Sequence, residues 1–167
     1  MDCILLRHGI AEDREIWKGS ESKRPLTKAG IRKTFKAVTG LKHLGIQPTH
    51  LLSSPYTRAW ETAHIAAEIF KLDMEVQICE ELLFDRSPAE LMPVLAKLPK
   101  DSCVVCVGHE PHLGEAAGVM IFGKAADSLS LKKAGACGVE FAGKPEAGTG
   151  RLLWWLTPAQ LRQLRRP

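Results

Sequence analysis

The sequence contains no apolar run of the roughly 18 residues that a membrane-spanning helix needs. Lys, Arg, Glu or Gly interrupts every candidate run. We also expect no secretory leader, because the N-terminus reaches Arg7 and His8 after one short apolar stretch that no basic segment precedes. These absences argue against membrane and secreted classes, and we expect a cytoplasmic protein without a membrane partner.

Paired cysteines and clustered metal ligands are missing as well. The five cysteines are odd in number and lie mostly in apolar runs, which is typical of reduced, buried thiols. Cys103 and Cys106 are three apart on a predicted strand, so they point to opposite faces and share neither a metal nor a disulfide. With no i, i+4 His pair and no P-loop spacing, we expect no metal and no cofactor. Structural roles are assigned to the remaining histidines: His43, His50, His64 and His112.

The basic excess is small. Lys and Arg number 23 against 19 Asp and Glu, a net charge of +4. Part of this excess is a basic tail formed by Arg162, Arg165 and Arg166, which we interpret as a solvated terminus. Because the basic residues are not interleaved with aromatic ones, we expect no nucleic-acid partner.

Apolar stretches that predict strands alternate with stretches that predict helices, without repeats. This alternation predicts a three-layer α/β/α sandwich around a mostly parallel central sheet with an antiparallel edge. We expect one domain over residues 1–167, within the roughly 100–200 residues typical of a domain. The predicted strands cover residues 3–6, 50–53, 74–78, 102–107, 138–141 and 152–156, the last two as a hairpin-like pair.

Two of the predicted helices carry specific expectations. In the first, which Gly45 ends, one apolar stripe is predicted to face the core: Ile31, Phe35, Val38 and Leu41. The second is expected to run from about residue 55 to 70, with Ser54 as its cap.

Capping boxes begin two further helices, at residues 87–90 and 157–160. Pro93 lies too far inside the first of these to be accommodated, which predicts an irregular or kinked helix there. Another helix is expected over residues 111–122.

Polar residues follow three predicted strands where apolar ones would pack. Arg7 and His8 follow the first strand. Arg58 lies one turn into the helix after the second strand, and His109 follows the strand of residues 102–107. Ligands of open α/β sheets bind beyond the carboxyl ends of the strands. If these strands are parallel neighbours, the four side chains converge at one site.

Such a site is cationic, and its natural guest is a phosphoryl group. Two guanidiniums and two imidazoles meet there with no obligate carboxylate partner, and an Arg fork matches phosphate oxygens two at a time. A cation such as Arg58 near a helix N-terminus is disfavoured by about 0.3–1 kcal/mol when exposed. A bound anion would offset that cost.

Each residue also has an ordinary structural interpretation. Arg7 suits a strand-end salt bridge, and His109 suits a hydrogen-bonded core position. Arg58 suits an ion pair with Glu61 or Glu12. The conjunction favours the functional interpretation, since three strand ends would otherwise carry unrelated structural cations.

Four motifs resemble those of the histidine phosphatase (phosphoglycerate mutase-like) superfamily. Residues 7–9, RHG, are similar to its R-H-G signature, and residues 53–62, SSPYTRAWET, resemble its S-S-P-x-x-R-A-x-x-T segment. Residues 107–111, VGHEP, resemble its second histidine motif, and residues 24–30, RPLTKAG, add a fourth match. Order and spacing agree over essentially the whole chain. The short length and residues 24–27 point to the SixA-like phosphohistidine phosphatases, which implies a bacterial cytoplasmic setting.

The resemblance implies a metal-independent phosphatase with four catalytic residues. His8 is the nucleophile that becomes phosphorylated, while Arg7, Arg58 and His109 bind the phosphoryl oxygens. His8 has to be neutral to attack phosphorus, so its second ring nitrogen is expected to donate to a backbone carbonyl or a similar acceptor. His109 is expected to be protonated, as a third positive group.

The leaving group separates the possible substrates. An ester needs an acid to protonate its alkoxide, and Glu81 lies near the family's position for that acid. Glu81 and its neighbour Glu80 are equally well interpreted as solvated loop carboxylates. An imidazole leaves already protonated, which favours protein phosphohistidine as the substrate. Residues 10–23, with Trp17, form either the rim of an open pocket that admits a protein-borne phosphate or a mobile loop. A broad-specificity phosphomonoesterase and a non-catalytic phosphate-binding module remain alternatives, while a mutase is disfavoured because no second substrate anchor is seen.

Overall fold

The computed structural model describes residues 1–72 and 75–164, and six strands form one central sheet. The strands are β1 (Asp2–Arg7), β2 (His50–Ser53), β3 (Gln77–Ile78), β4 (Cys103–Gly108), β5 (Ala136–Glu140) and β6 (Arg151–Leu156). Their order across the sheet is β3-β2-β4-β1-β5-β6. The first four pair in parallel, whereas β5 is antiparallel to both β1 and β6. The predicted sheet with its antiparallel edge is confirmed.

Helices cover both faces of the sheet. They are α1 (Lys28–His43), α2 (Thr57–Phe70), α3 (Leu91–Leu95), α4 (His112–Phe122) and α5 (Pro158–Leu161). Short 3-10 turns occur at Glu21–Lys23, Glu80–Leu82 and Pro88–Glu90. Among the described residues, no helix is long and apolar enough to cross a membrane.

Alternation along β1 divides the core into two layers. Ile4 and Leu6 face α1, α2 and α5, and Cys3 and Leu5 face α3 and α4. Strand β1 is buried on both faces, as expected for a continuous apolar strand at the centre of a parallel sheet. The three-layer α/β/α arrangement follows from this division.

Strand β4 divides in the same way. Cys103 packs with the layer of α1 and α2, and Cys106 packs with the layer of α3 and α4. This confirms that the two thiols point to opposite faces. All five cysteines are free.

The predicted core stripe of α1 is only half right. Val38 and Leu41 are fully buried, but Ile31 and Phe35 are 42% and 44% exposed. The buried face instead begins with small residues, because α1 lies close to its neighbours and a Cβ on Gly30 would overlap the Ile10 carbonyl.

Two boundaries also differ from the prediction. Helix α2 begins at Thr57, and Tyr56 is its N-cap residue without a side-chain cap, so Ser54 does not cap it. Only Gln77 and Ile78 of the predicted strand 74–78 are in a strand, and Met74 lies outside the described residues. Two arginines of the predicted basic tail, residues 165 and 166, also lie outside them.

The remaining local predictions are confirmed. The helix that contains Pro93 is irregular, with a 3-10 turn followed by the five residues of α3. Both capping boxes form, at residues 87–90 and 157–160. Strands β5 and β6 make the predicted antiparallel pair.

The contact between α1 and α5 leaves no room for a side chain at Gly40, where a Cβ would overlap the Leu161 carbonyl. We expect Gly40→Ala to lower the free energy of unfolding by about 1–3 kcal/mol, because overpacking outweighs the gain in helix propensity. Urea denaturation measures this difference. Gly143→Ala is the control, since a Cβ there meets nothing within 4 Å. A Gly40→Ala protein as stable as the control would contradict this packing.

Candidate active site

The strand register brings the predicted site residues together. Arg7 of β1 is paired with Gly108 of β4, so His8 and His109 leave adjacent strands at the same edge. The rings of His8 and His109 have centroids 5.1 Å apart. Arg58, from the first turn of α2, places Nε 3.4 Å from His8 Nε2. Arg7 lines the same cavity as these three residues.

One hydrogen bond fixes the tautomer of His8. Nδ1 lies 2.7 Å from the Gly9 carbonyl oxygen, which can only accept, so Nδ1 carries the proton and Nε2 holds the lone pair, which accepts from Arg58 Nε. This is the backbone acceptor expected from the sequence. Burial lowers the pKa of His8 to about 3, and the positive charges of Arg58, Arg7 and Lys133 act in the same direction against the Gly9 hydrogen bond.

His109 is held by a residue that the sequence predicted for another role. Ser54 Oγ lies 2.8 Å from His109 Nε2, and the same oxygen is 3.4 Å from the Tyr56 amide, from which it accepts. Assigning the hydroxyl as the donor to Nε2 leaves the ring proton of His109 on Nδ1. Burial, followed by the neighbouring positive groups, lowers the pKa of His109 to about 2. Burial in this environment disfavours the charged ring that is expected from the sequence.

Arg58 has a carboxylate partner, contrary to the sequence prediction. Its Nη2 lies 3.2 Å from Glu21 Oε1, and its Nη1 donates to the Glu21 carbonyl at 3.0 Å. Arg24 binds the same carboxylate with two bonds, at 2.7 and 2.9 Å. Hydrogen bonds from Arg24 hold the pKa of Glu21 below its ordinary value. Of the two predicted partners of Arg58, Glu61 accepts from the Leu26 amide instead.

Arg7 is positioned through the backbone of Leu131. Its Nη1 donates to the Leu131 carbonyl at 2.7 Å, and Glu110 Oε1 accepts from the Leu131 amide at 2.9 Å. Glu110 therefore holds Leu131, the residue whose carbonyl group holds Arg7. Burial raises the pKa of Glu110 above its ordinary value, against the nearby charge of Arg7.

These residues enclose a cavity of about 270 Å³. Five cationic and two acidic side chains line it: Arg7, Arg14, Arg24, Arg58, Lys133, Glu21 and Glu110. Arg7 Nε and His109 Nδ1 are buried donors with no partner among the described residues. Two unpaired donors that meet in a cationic cavity favour an anionic guest.

Aromatic rings form one wall of the site. Phe84 lines the cavity, with its ring centroid 6.2 Å from that of His109 and 5.7 Å from that of Tyr56. Tyr56 also packs edge-on against His109, at 5.3 Å between centroids. Phe84 therefore gives the cavity an aromatic side, which Tyr56 supports from behind.

The candidate acids Glu80 and Glu81 do not line this cavity. Glu81 accepts a hydrogen bond from the Cys79 thiol at 3.3 Å, and Glu80 lies 3.5 Å from Arg86. The segment of residues 10–23 does contribute a rim through Arg14 and Glu21. Trp17 instead donates to the Ser20 carbonyl.

Sequence reasoning did not single out six lining residues: Arg14, Glu21, Arg24, Phe84, Glu110 and Lys133. Glu110 follows His109 directly in the quoted motif, and Arg14 and Glu21 lie in the predicted rim segment, so their positions were usable signals. Phe84 and Lys133 carried none, because they lie outside the four motifs and the rim segment. Among the described residues, no three of the His, Cys, Asp and Glu side chains are grouped to hold a metal ion.

Comparison with known proteins agrees with this geometry. The family model of the histidine phosphatase superfamily (branch 1) matches residues 3–83. An uncharacterised protein of Picosynechococcus sp. is 35% identical over 160 residues, which cover 94% of this chain and 96% of that protein. Phosphohistidine phosphatase SixA of Escherichia coli is 22% identical over 167 residues, 99% of each chain.

A solved structure shares the fold. The protein histidine phosphatase SixA complexed with tungstate superimposes with a TM-score of 0.84 at 23% identity, covering 96% of this chain and 99% of that one. The family model covers residues 3–83, whereas the structural match covers nearly the whole chain, including the strands that follow residue 83. The chain belongs to the histidine phosphatase superfamily and has a SixA-like α/β fold.

Proposed function

We propose that this protein is a phosphatase in which His8 Nε2 accepts the phosphoryl group and protein phosphohistidine is the substrate. One observation carries the proposal: a neutral imidazole, held by the Gly9 carbonyl, presents its free electron pair inside a cavity of arginines. The proteins of the superfamily and the structural neighbours include phosphatases, which agrees with this chemistry. A cytoplasmic location and a single domain over residues 1–167 stay predictions.

The proposed reaction has two steps. Nε2 of His8 forms a bond to phosphorus as the N–P bond of the substrate breaks, and the substrate imidazole, already protonated on its other nitrogen, leaves neutral. Water then forms a P–O bond, the electrons of the His8 N–P bond return to Nε2, and phosphate is released with the proton of water. Arg7 and Arg58 bind the phosphoryl oxygens, where charge is spread in the transition state.

His109 has a defined part in these steps. Its Nδ1 has no partner within the described chain, and the residue lines the cationic cavity, so in this scheme an Nδ1–H donates to a phosphoryl oxygen. The negative charge of that group raises the pKa of His109, since an opposite charge favours the protonated ring. In this scheme the protonation expected from the sequence accompanies substrate binding.

The leaving-group side of the site supports phosphohistidine. Phe84 lines the cavity and offers an aromatic ring on which an imidazole can pack. Neither Glu80 nor Glu81 lines the cavity, so the carboxylates expected to serve an ester are elsewhere. The related E. coli protein is named for phosphohistidine.

A broad-specificity phosphomonoesterase is the second candidate function, and Glu110 favours it. This carboxyl lines the cavity, and its raised pKa suits proton donation to an alkoxide. A non-catalytic phosphate-binding module is less well supported, because binding an anion does not require the unprotonated Nε2 of His8.

Loss of the nucleophile is the first test. We expect His8→Ala to abolish phosphatase turnover and acid-labile labelling of the protein, because the variant lacks the imidazole nitrogen that accepts the phosphoryl group in the proposed reaction. Radiolabelled phosphoramidate and phosphohistidine peptide are the substrates. His64→Ala is the control, since His64 is an exposed residue of α2 bonded to the Trp60 carbonyl. Turnover that persists in folded His8→Ala would rule out the covalent route.

Glu110→Gln separates the two candidate functions. The amide keeps an oxygen to accept from the Leu131 N–H but cannot donate a proton as a carboxylic acid does. For a phosphohistidine enzyme, we expect kcat on phosphohistidine to change by less than about threefold. If Glu110 is the acid for esters, kcat on an aryl- or alkyl-phosphate falls on the order of 10²- to 10⁴-fold. Equal large losses on both substrates would contradict the proposed leaving group.

The pKa of His8 predicts a pH dependence of stability. Between the ordinary value near 6.5 and the folded value of about 3, the unfolded chain binds the extra proton, so stability falls as the pH falls through this range. His8→Gln removes this contribution, and the slope of unfolding free energy against pH at pH 5 should decrease by about 1.4 kcal/mol per pH unit. Urea denaturation at several pH values measures the slope. His64→Gln is the control, and equal slopes for His8→Gln and wild type would show that His8 is not buried neutral.

A further inference from the structure

A second cavity, of about 410 Å³, lies beside the active site. Arg7 and Lys133 line both cavities. Three more cations line only the second: Lys33 from α1, Lys132 from the turn before β5, and Arg162 at the end of α5. We call the space lined by these five residues the basic cavity.

The charge of the basic cavity is uncompensated. Among the described residues, no acidic side chain lines it, and none of its five cations forms a salt bridge within 4.0 Å. In the active site, by contrast, Glu21 and Glu110 offset part of the positive charge. Like charges brought into one concave surface focus a positive potential there. The complementary guest is an anion.

The lysines of the basic cavity are tied to the nucleophile through the backbone. Ala134 follows them in a left-handed conformation, with φ of 60°. Its amide lies 3.2 Å from the carbonyl oxygen of Arg7 and 3.1 Å from that of His8. Because a non-glycine residue adopts this conformation at a cost, these contacts hold the turn in a defined place. Lys132 and Lys133 are therefore fixed next to the active site.

A buried hydroxyl adds a second indication of a ligand. Thr34 is fully buried, lines the basic cavity, and has an Oγ1 with no partner in the described part of the chain. The same oxygen packs against Gly9, where a Cβ would overlap it. A hydroxyl in a cationic wall can donate to an anion. The Thr34 hydroxyl lies against Gly9, which directly follows the proposed nucleophile His8.

We propose that the basic cavity binds a carboxylate side chain of the phosphorylated protein while the phosphoryl group occupies the active site. This inference rests on the proposed function. Lys33, Lys132 and Arg162 are exposed, so the surface of a folded partner can reach them. A lysine ammonium group acts as a point charge, so it recognises the negative charge of a ligand. It does not require the planar two-oxygen geometry that an arginine guanidinium matches. Substrates with an acidic residue near the phosphohistidine are thereby favoured.

The shared residues set the spacing of the two anions. Because Arg7 and Lys133 line both cavities, the carboxylate and the phosphoryl group lie about one long side chain apart. This separation, on the order of 7–10 Å, corresponds to two or three residues of extended chain. An acidic residue at that distance from the phosphohistidine fits both cavities at once.

The test uses the triple variant Lys33→Ala, Lys132→Ala, Arg162→Ala, which leaves the residues of the active site unchanged. Its substrates are a phosphohistidine peptide with Glu three residues away, the same peptide with Ala there, and phosphoimidazole. We expect the variant to raise KM for the acidic peptide tenfold or more with little change in kcat. Turnover of the other two substrates should stay within about twofold of wild type.

A matched control variant removes three positive charges from surface positions outside both cavities. Lys97, Lys100 and Lys124 are exposed and line neither cavity, so their triple Ala variant should behave as wild type on all three substrates. An equal loss in this control would overturn the proposal, because general attraction would then explain the effect. Wild-type protein that does not prefer the acidic peptide would overturn it as well.

Binding of unphosphorylated peptide separates this inference from the proposed function. Fluorescence anisotropy with the labelled acidic peptide should show a tenfold loss of affinity in the triple variant, even if wild type hydrolyses no phosphohistidine. If wild type hydrolyses no phosphohistidine, the proposed function is rejected. The anisotropy measurement would still show whether the basic cavity binds the acidic peptide. Equal affinity of wild type and variant for the acidic peptide would reject the cavity.

Discussion

The hydrogen bond from His8 Nδ1 to the Gly9 carbonyl, inside a buried ring of cations, is the constraint on which the proposed chemistry depends. Burial and positive neighbours keep the ring neutral, and the bond decides which nitrogen carries the proton. In the other tautomer, Nε2 would point its own hydrogen toward Arg58. The cationic cavity thus has two effects, since the charges that attract a phosphoryl group also keep the nucleophile unprotonated.

Placing so many cations around two imidazoles has an electrostatic cost, and two carboxylates reduce it in different ways. Glu21 pairs directly with Arg58 and Arg24, and it fixes the guanidinium that lies nearest Nε2. Glu110 acts through the backbone of Leu131, since it accepts from the N–H of that residue while the carbonyl of the same residue holds Arg7. Both guanidiniums are therefore oriented by the protein before any anion arrives. Such preorganised charge is the principal means by which phosphoryl transfer is catalysed.

The sequence predicts those features that depend on local pattern. Strand ends were recognisable because polar residues follow apolar runs, and this placed Arg58 in the site. Long-range packing was not recognisable. Ile31 and Phe35 fit a helical stripe, but close approach of α1 to its neighbours favours small residues on the buried face. Ser54 had the form of a helix cap, yet its hydroxyl meets a ring that β4 delivers more than fifty residues later in the chain.

The polar strand ends also contribute to the register that assembles the site. Strands β1 and β4 are apolar on both faces, so the alternation of side chains alone does not choose between registers. A slip by two residues would preserve that alternation while moving His109 about 6–7 Å along β1. It would also draw Arg7 or Glu110 into the apolar layers, where an unpaired charge is strongly disfavoured. The residues that handle the phosphoryl group thereby help to align the strands that carry them, which explains how a site divided between the two halves of the chain is brought together.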